Sequence, residues 1–237
     1  MLGEIYGLVK EIEARLAKIP GVEKAIAAGS IRRMKETIGD ADFLVISSKA
    51  RPVVEFFVNM PEVVRVYARG ETKSMVRLNN GLDCDLRVVP RESFGAALNY
   101  FTGSKDHNVA MRQIAINKRY KLNEYGLFKG KKHIAGRTEE DLYKALGLRY
   151  IEPELRENTG EIEASREGKL PKDLSGYDDL RGDLQTQTNW TDGAKSIEDM
   201  VAMAMKIKLE YIAITDHTKR LAMTNGLNER RIVQQMK

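Results

Sequence analysis

The sequence predicts a mixed α/β (α+β) fold, and three observations carry that prediction. Apolar residues switch between helical spacing and period-2 alternation through residues 1–89. Two alternating runs flank Asn79-Asn80-Gly81, a strong hairpin turn. After a charged stretch, a second strand–helix–strand–helix pattern begins at Gly182.

The elements follow in order. Leu2, Ile5, Leu8, Val9, Ile12 and Leu16 mark one face of a helix over 2–18, closed by Pro20-Gly21. Residues 22–28 read as a strand, 30–37 as a short helix, 40–47 as a strand and 51–59 as a helix, a βαβα order. Residues 63–67, 74–78 and 82–89 read as further strands, and Pro90 stops the sheet. Helices are expected over 92–100, 108–118 and 138–146, with a hairpin arm at 121–128. Residues 150–180 combine charge and turn residues with little periodicity and read as a linker. Beyond it come a strand, a helix opened by the capping-box pattern Ser196-Ile-Glu-Asp, a strand over 211–215 and a final helix. The boundaries this implies are 1–89, 90–150, a linker over 151–182, and 183–237.

At 237 residues, the chain has room for one large domain or two modest ones. Hydrophobic residues are 42% and charged residues 31%, too apolar a balance for a disordered chain. No apolar run approaches the roughly 18 residues of a membrane span, and the acids near Met1 do not suit a signal peptide. A soluble cytoplasmic protein without membrane partners is expected. A single cysteine, Cys84, excludes an internal disulfide, and three histidines are few for a zinc cage, so a metal site would rest on carboxylates. Residues 1–150 hold 26 Lys and Arg against 18 Asp and Glu, whereas the remainder holds 13 against 16. A polyanion partner would therefore meet the first part.

The chemistry concentrates at Asp40-Ala41-Asp42, where period-2 alternation puts both carboxylates on one face. Asp83, Asp85 and Arg87 share one face of a later strand, with Leu82, Cys84, Leu86 and Val88 on the other. If these strands are neighbours, three or four carboxylates meet. Such a cluster raises its own pKa values unless a cation relieves it, and Mg²⁺ held by carboxylates and substrate phosphates is the usual relief. Upstream, Gly29-Ser30 and Arg32-Arg33 form a strand-to-helix turn suited to phosphate: backbone approach at Gly29, a hydroxyl at Ser30, then guanidinium donors. Asp83 reads as a solvated edge residue, with a fourth site carboxylate as the alternative. Cys84 and Trp190 read as packing residues, and His107 as structural or substrate-facing.

AGSIRRMKETIGDADFLV, GLDCDLRVVPRESFGAALNYFTGSKDHNVAMR and LNEYGLF resemble the palm and thumb of bacterial and archaeal family X DNA polymerases. The resemblance continues through YIEPELRENTGEIEAS, DLQTQTNWTDG and ITDHTKRLAMTNGL, covering nearly the whole chain. It implies a nucleotidyltransferase palm with a small thumb, a linker and the start of a PHP (polymerase and histidinol phosphatase) βα barrel. It also implies that Asp40, Asp42 and Asp85 are the catalytic triad holding two Mg²⁺ or Mn²⁺ ions, with Asp85 helping to activate a primer 3′-hydroxyl. By the same resemblance, Gly29, Ser30, Arg33 and Gly39 meet the triphosphate of a dNTP. Tyr100, Phe101, Thr102 and Gly103 pack its sugar, Lys105 lies near the nucleotide, and Asn108 and Arg112 face the nascent base pair and template. Arg87 matches a residue that can pair with Asp42 in the absence of metal. Arg112, Lys118, Arg119 and Lys121, followed by Lys129, Lys131 and Lys132, fit a track for primer-template or gapped DNA.

Two departures from the family pattern are visible. Family members begin with a helix-hairpin-helix and lyase-like head, whereas Met1 falls just before the palm, so a partner chain is a candidate source of that head. The first PHP metal motif, His-x-His, reads Gln185-Thr186-Gln187; Asp192 and His217 match ligand positions, and later ligands would fall beyond Lys237. An amide offers no imidazole nitrogen, so PHP nuclease activity is expected to be absent. The expected function is templated DNA synthesis in short-gap DNA repair. The alternatives are a small nucleotidyltransferase working without template, or a non-catalytic DNA-binding remnant.

Overall fold

Helix α1 (Leu2–Ala17) buries Val9, Ile12 and Leu16, the stripe its spacing predicts. It leads into strand β1 (Val22–Ala27), helix α2 (Gly29–Arg32), strand β2 (Asp40–Ser47), helix α3 (Ala50–Val58) and strands β3 (Val63–Arg69), β4 (Lys73–Leu78) and β5 (Asp83–Val89). The computed structural model describes residues 1–176 and 179–237, which divide into two units, Met1–Leu170 and Pro171–Lys237.

In the first unit, strands pair in the order β1-β2-β5-β4-β3, with β2 and β5 parallel and every other pair antiparallel. Helix α2 is a single turn, not the helix over 30–37 that the sequence suggests: Met34 at φ 55° breaks the helical path. One sheet face packs Phe43, Val45, Leu86 and Val88 with α1 and α3. On the opposite face, Leu44 and Ile46 of β2 lie against Phe94, Ala97 and Leu98 of helix α4 (Phe94–Thr102). By alternation Asp40 and Asp42 share that second face, toward the start of the strand.

Helix α5 (Lys105–Asn117) begins three residues earlier than the sequence reading places it, because Ser104 accepts the His107 backbone N–H and caps it. Strands β6 (Lys121–Asn123), β7 (Gly126–Lys129) and β8 (Lys132–Ala135) form an antiparallel sheet, so the expected hairpin gains a third strand. Helix α6 (Glu139–Leu146) is capped by Thr138 and packs against α4 at Gly95, where a Cβ would come within 2.1 Å of the Thr138 backbone.

The expected linker over 151–182 is corrected over its first twenty residues. Ile151 and Ile162 are buried with Met111, Leu142, Tyr143 and Leu146, and helix α7 (Glu161–Glu167) lies within the stretch. Its charges misled the reading: Arg156 and Glu161 are buried because each has an ionic or hydrogen-bonding partner. Residues 177 and 178, within the same expected linker, lie outside the described residues.

The second unit contains strand β9 (Gly182–Thr186), helix α8 (Ile197–Lys206), strand β10 (Tyr211–Ile214) and helix α9 (Glu229–Gln235). Strands β9 and β10 pair in parallel, and Ser196 and Asp199 form the expected capping box. Trp190, read as core, is only half-buried. Among the described residues no helix is long and apolar enough to cross a membrane.

Candidate active site

Parallel pairing of β2 with β5 sets Asp40 opposite Asp83 and Asp42 opposite Asp85. Neighbouring strands lie about 4.8 Å apart, so four carboxylates occupy one small patch. Ala41, Phe43, Cys84 and Leu86 point to the buried face between them, and burial pushes the Cys84 thiol up to about 12. Asp83 leans away to Arg77 at 3.3 Å and is well exposed, which favours the edge-residue reading.

Among the described residues, no side chain or backbone N–H donates a hydrogen bond to the carboxylates of Asp40, Asp42 or Asp85. Burial, then repulsion from Asp40 and Asp85, raises Asp42 to about 7, with Arg87 and Arg33 offsetting only part. Asp85 is raised by burial and by Asp40 and Asp83, against the pull of Arg87. Hard oxygen donors, unspent on hydrogen bonds and mutually repelling, fit a divalent cation. Among the described residues no three His, Cys, Asp or Glu side chains converge into a ready-made cage. The donor set therefore suits an ion shared with substrate phosphate.

Gly29 sits directly above this patch at φ 64°, and a Cβ there would lie 2.6 Å from Asp42 Oδ2. Only glycine meets both demands. An open cleft of about 480 Å³ is lined by Gly29, Ser30, Arg33, Asp40, Asp42, Tyr100, Phe101, Thr102, Gly103, Lys105, Asn108 and Arg112. The C-terminal turn of α4 thus stands beside the carboxylates although more than fifty residues separate them in the chain. Asn108 holds it by donating to the Tyr100 carbonyl at 2.7 Å. Gly39 and Asp85 are not part of the cleft lining; Gly39 has open space around it and an ordinary φ, and Asp85 stands across the strand pair from Asp42.

Three basic residues depart from the expected geometry. Arg87 lies over the Phe101 ring at 5.3 Å and forms no ion pair with Asp42 among the described residues. Arg32 turns from the cleft to Glu139 at 2.6 Å and to Thr102 Oγ1 at 2.8 Å. Arg33 donates to Glu157 at 2.9 Å and to the Thr102 carbonyl. Lys118, Arg119, Lys121, Lys129, Lys131 and Lys132 are exposed and have no ion pair among the described residues. Arg112 lines both the cleft and a small pocket shared with Asn99, Leu122 and Asn123.

Sequence reasoning missed a buried polar knot beneath the cleft. Glu139 takes Arg32 and Arg156, the latter at 2.5 Å, and Arg156 lies over the rings of Tyr143 and Tyr150. Burial works to raise Glu139, yet the hydrogen bonds and charges of Arg32 and Arg156 hold it below its usual range. His107 bonds Glu161 at 2.7 Å and Tyr143 at 2.8 Å, the structural one of its two readings, and burial holds its pKa low. The available signal was Tyr150-Ile151-x-Pro153, an apolar cluster inside the charged stretch.

A mixed sheet with paired carboxylates, capped by a helical subdomain that brings its own turn to them, is a palm and thumb, the architecture of nucleotidyl-transferring polymerases. Residues 97–157 match the family model of the DNA polymerase beta thumb. The DNA polymerase/3′-5′ exonuclease PolX of Bacillus subtilis is 35% identical over the whole of this chain, which spans 42% of that protein. The repair DNA polymerase X of African swine fever virus is 31% identical over 63% of this chain and 90% of its own length. Leishmania infantum polymerase beta, in a ternary P/T complex, superposes with a TM-score of 0.57 at 26% identity, covering 66% of this chain and 76% of that one. The chain belongs to the family X DNA polymerases.

Proposed function

We propose that this chain carries out template-directed DNA synthesis, adding dNMP to a primer 3′-hydroxyl in short-gap repair. The observation that carries the proposal is the meeting of Asp40 and Asp42 with Tyr100–Gly103 at one cleft, with Asp85 opposite Asp42 on the neighbouring strand. Two Mg²⁺ or Mn²⁺ ions, when bound, would supply Lewis-acid stabilisation of the phosphoryl group and lower the pKa of the attacking hydroxyl. Asp40 and Asp42 would hold both ions, and Asp85 would stand where the primer terminus must come. Ser30 and the backbone at Gly29 offer donors to a triphosphate. Tyr100 and Phe101, in edge contact with ring centroids 5.1 Å apart, offer an apolar wall for a sugar. Asn108 and Arg112 line the same cleft and would face a base pair bound there, and the exposed basic residues from Lys118 onward would continue as a phosphate track.

We also propose that the second unit has no phosphoesterase chemistry. Gln185 and Gln187 replace imidazoles, the Gln187 amide donates to Thr215, and His217 stands 3.7 Å from Asp192. Its likeness to a PHP start rests on the motifs alone.

Single-nucleotide extension on gapped and open primer-template DNA, comparing the chain with Asp85→Ala, tests the main reading. Templated addition that disappears in the variant is expected. Addition that ignores the template base identifies an untemplated transferase, and salt-dependent DNA binding without turnover identifies a non-catalytic module.

A further inference from the structure

Arg33 faces the cleft, yet its guanidinium is engaged within the chain. Nε donates to Glu157 Oε1 at 2.9 Å, Nη1 donates to the Thr102 carbonyl, and only 13% of the side chain is exposed. Arginine grips phosphate best with two parallel N–H donors along one edge. The Nε/Nη2 edge has Glu157 on it, and the Nη1/Nη2 edge has Thr102 at one end. The Nε/Nη2 edge, the one that Thr102 leaves untouched, is therefore not free for an incoming phosphate while Glu157 stays in place.

Glu157 comes from a fixed point. Its neighbour Arg156 is wholly buried, held by the Ile151 carbonyl at 2.9 Å and by Glu139. The Glu157 side chain is 28% exposed, so it can rotate outward without moving that anchor. Lys35, 3.6 Å from the same oxygen, is the second cation the carboxylate neutralises.

We infer that Glu157 is an internal stand-in for the nucleotide's phosphate chain, occupying Arg33 until a polyphosphate displaces it. The inference rests on the nucleotide-transfer reading above and assigns Glu157 as a residue that sets the affinity and selectivity of that site. A polyphosphate, with several charges, can take both Arg33 and Lys35 from one carboxylate; a single phosphate competes poorly.

The test is calorimetric binding of Mg²⁺-tripolyphosphate to the full chain and to Glu157→Gln, Glu157→Asp, Arg33→Gln and the Arg33→Gln/Glu157→Gln double variant. Losing a partly exposed competing carboxylate is expected to tighten binding about 2- to 5-fold in Glu157→Gln. Glu157→Asp, still charged, gains less. The double variant gains less over Arg33→Gln than Glu157→Gln gains over wild type, because most of the effect runs through Arg33 and only the Lys35 contact remains to be released. In primer extension, Glu157→Gln lowers KM for the dNTP by the same factor while kcat stays level, a split that a merely structural residue would not produce. Equal or weaker binding by Glu157→Gln, with native circular dichroism and Tm, overturns the inference and leaves the nucleotide site standing. No binding by any variant overturns both.

Discussion

Asp42 in the first unit and Asp216 in the second are partly buried aspartates on or just past a parallel strand, and their surroundings are opposite. No donor meets the Asp42 carboxylate, and burial with two neighbouring carboxylates raises it to about 7. Asp216 accepts from the Thr188 N–H at 2.7 Å, the Thr188 and Thr191 hydroxyls at 2.6 and 2.5 Å, and Gln235 at 2.5 Å. Burial works to raise it, but those hydrogen bonds hold it below its usual range. A carboxylate with its lone pairs satisfied is part of the scaffold. One left without donors, among its own kind, holds free energy that only a cation or proton releases. The chain thus keeps its unpaired negative charge where the thumb turn meets the palm.

The largest test of this contrast is catalytic. Asp42→Ala should reduce templated addition by at least ~10³-fold, as the loss of a ligand of the proposed metal site would. Asp216→Ala should leave the single-turnover rate within about twofold, as measured by rapid-quench primer extension.

Next comes stability at the buried knot. Glu139→Gln leaves Arg156 buried without its carboxylate and should cost about 3 kcal/mol at pH 7, read by urea denaturation. Because the Glu139 pKa is depressed in the folded chain, its contribution is present above the unfolded value and lost as pH falls. The gap between wild type and variant should therefore close in acid.

A smaller effect of opposite sign is expected at Asp42. Its folded pKa is raised, so the native chain binds more protons than the unfolded one between the ordinary aspartate value of 3.8 and about 7, and stability falls as pH rises through that window. In EDTA, Asp42→Asn should be more stable than wild type by about 2 kcal/mol at pH 8 and nearly equal at pH 4. Asp216→Asn should show no such gain; if it does, the comparison fails. The smallest effect concerns the basic track: Lys121→Ala should lower the slope of log K against log salt for duplex binding by about 1, without changing base preference.

Much of the site was legible because it is local. Period-2 alternation put Asp40 with Asp42 and Asp83 with Asp85, and Gly-Ser at a strand end marked a turn that lines the cleft. Pairing of the two strands was conditional on the sequence, since no local rule says which strands neighbour. The linker reading failed for a related reason. Arg156, Glu157 and Glu161 look like solvated charges until Arg33, Glu139 and His107, from elsewhere in the chain, arrive to pair with them.

By itself, then, the sequence determined the secondary-structure order over residues 1–89, the carboxylate faces, the capping box at Ser196 and the family motifs, because each depends on residues a few positions apart. Tertiary structure alone decided the β2–β5 register, the turn of Arg32 toward Glu139 and the hold of Glu157 on Arg33. Charges choose partners by proximity in space, and burial decides how strongly they feel each other; neither quantity exists until the chain has folded.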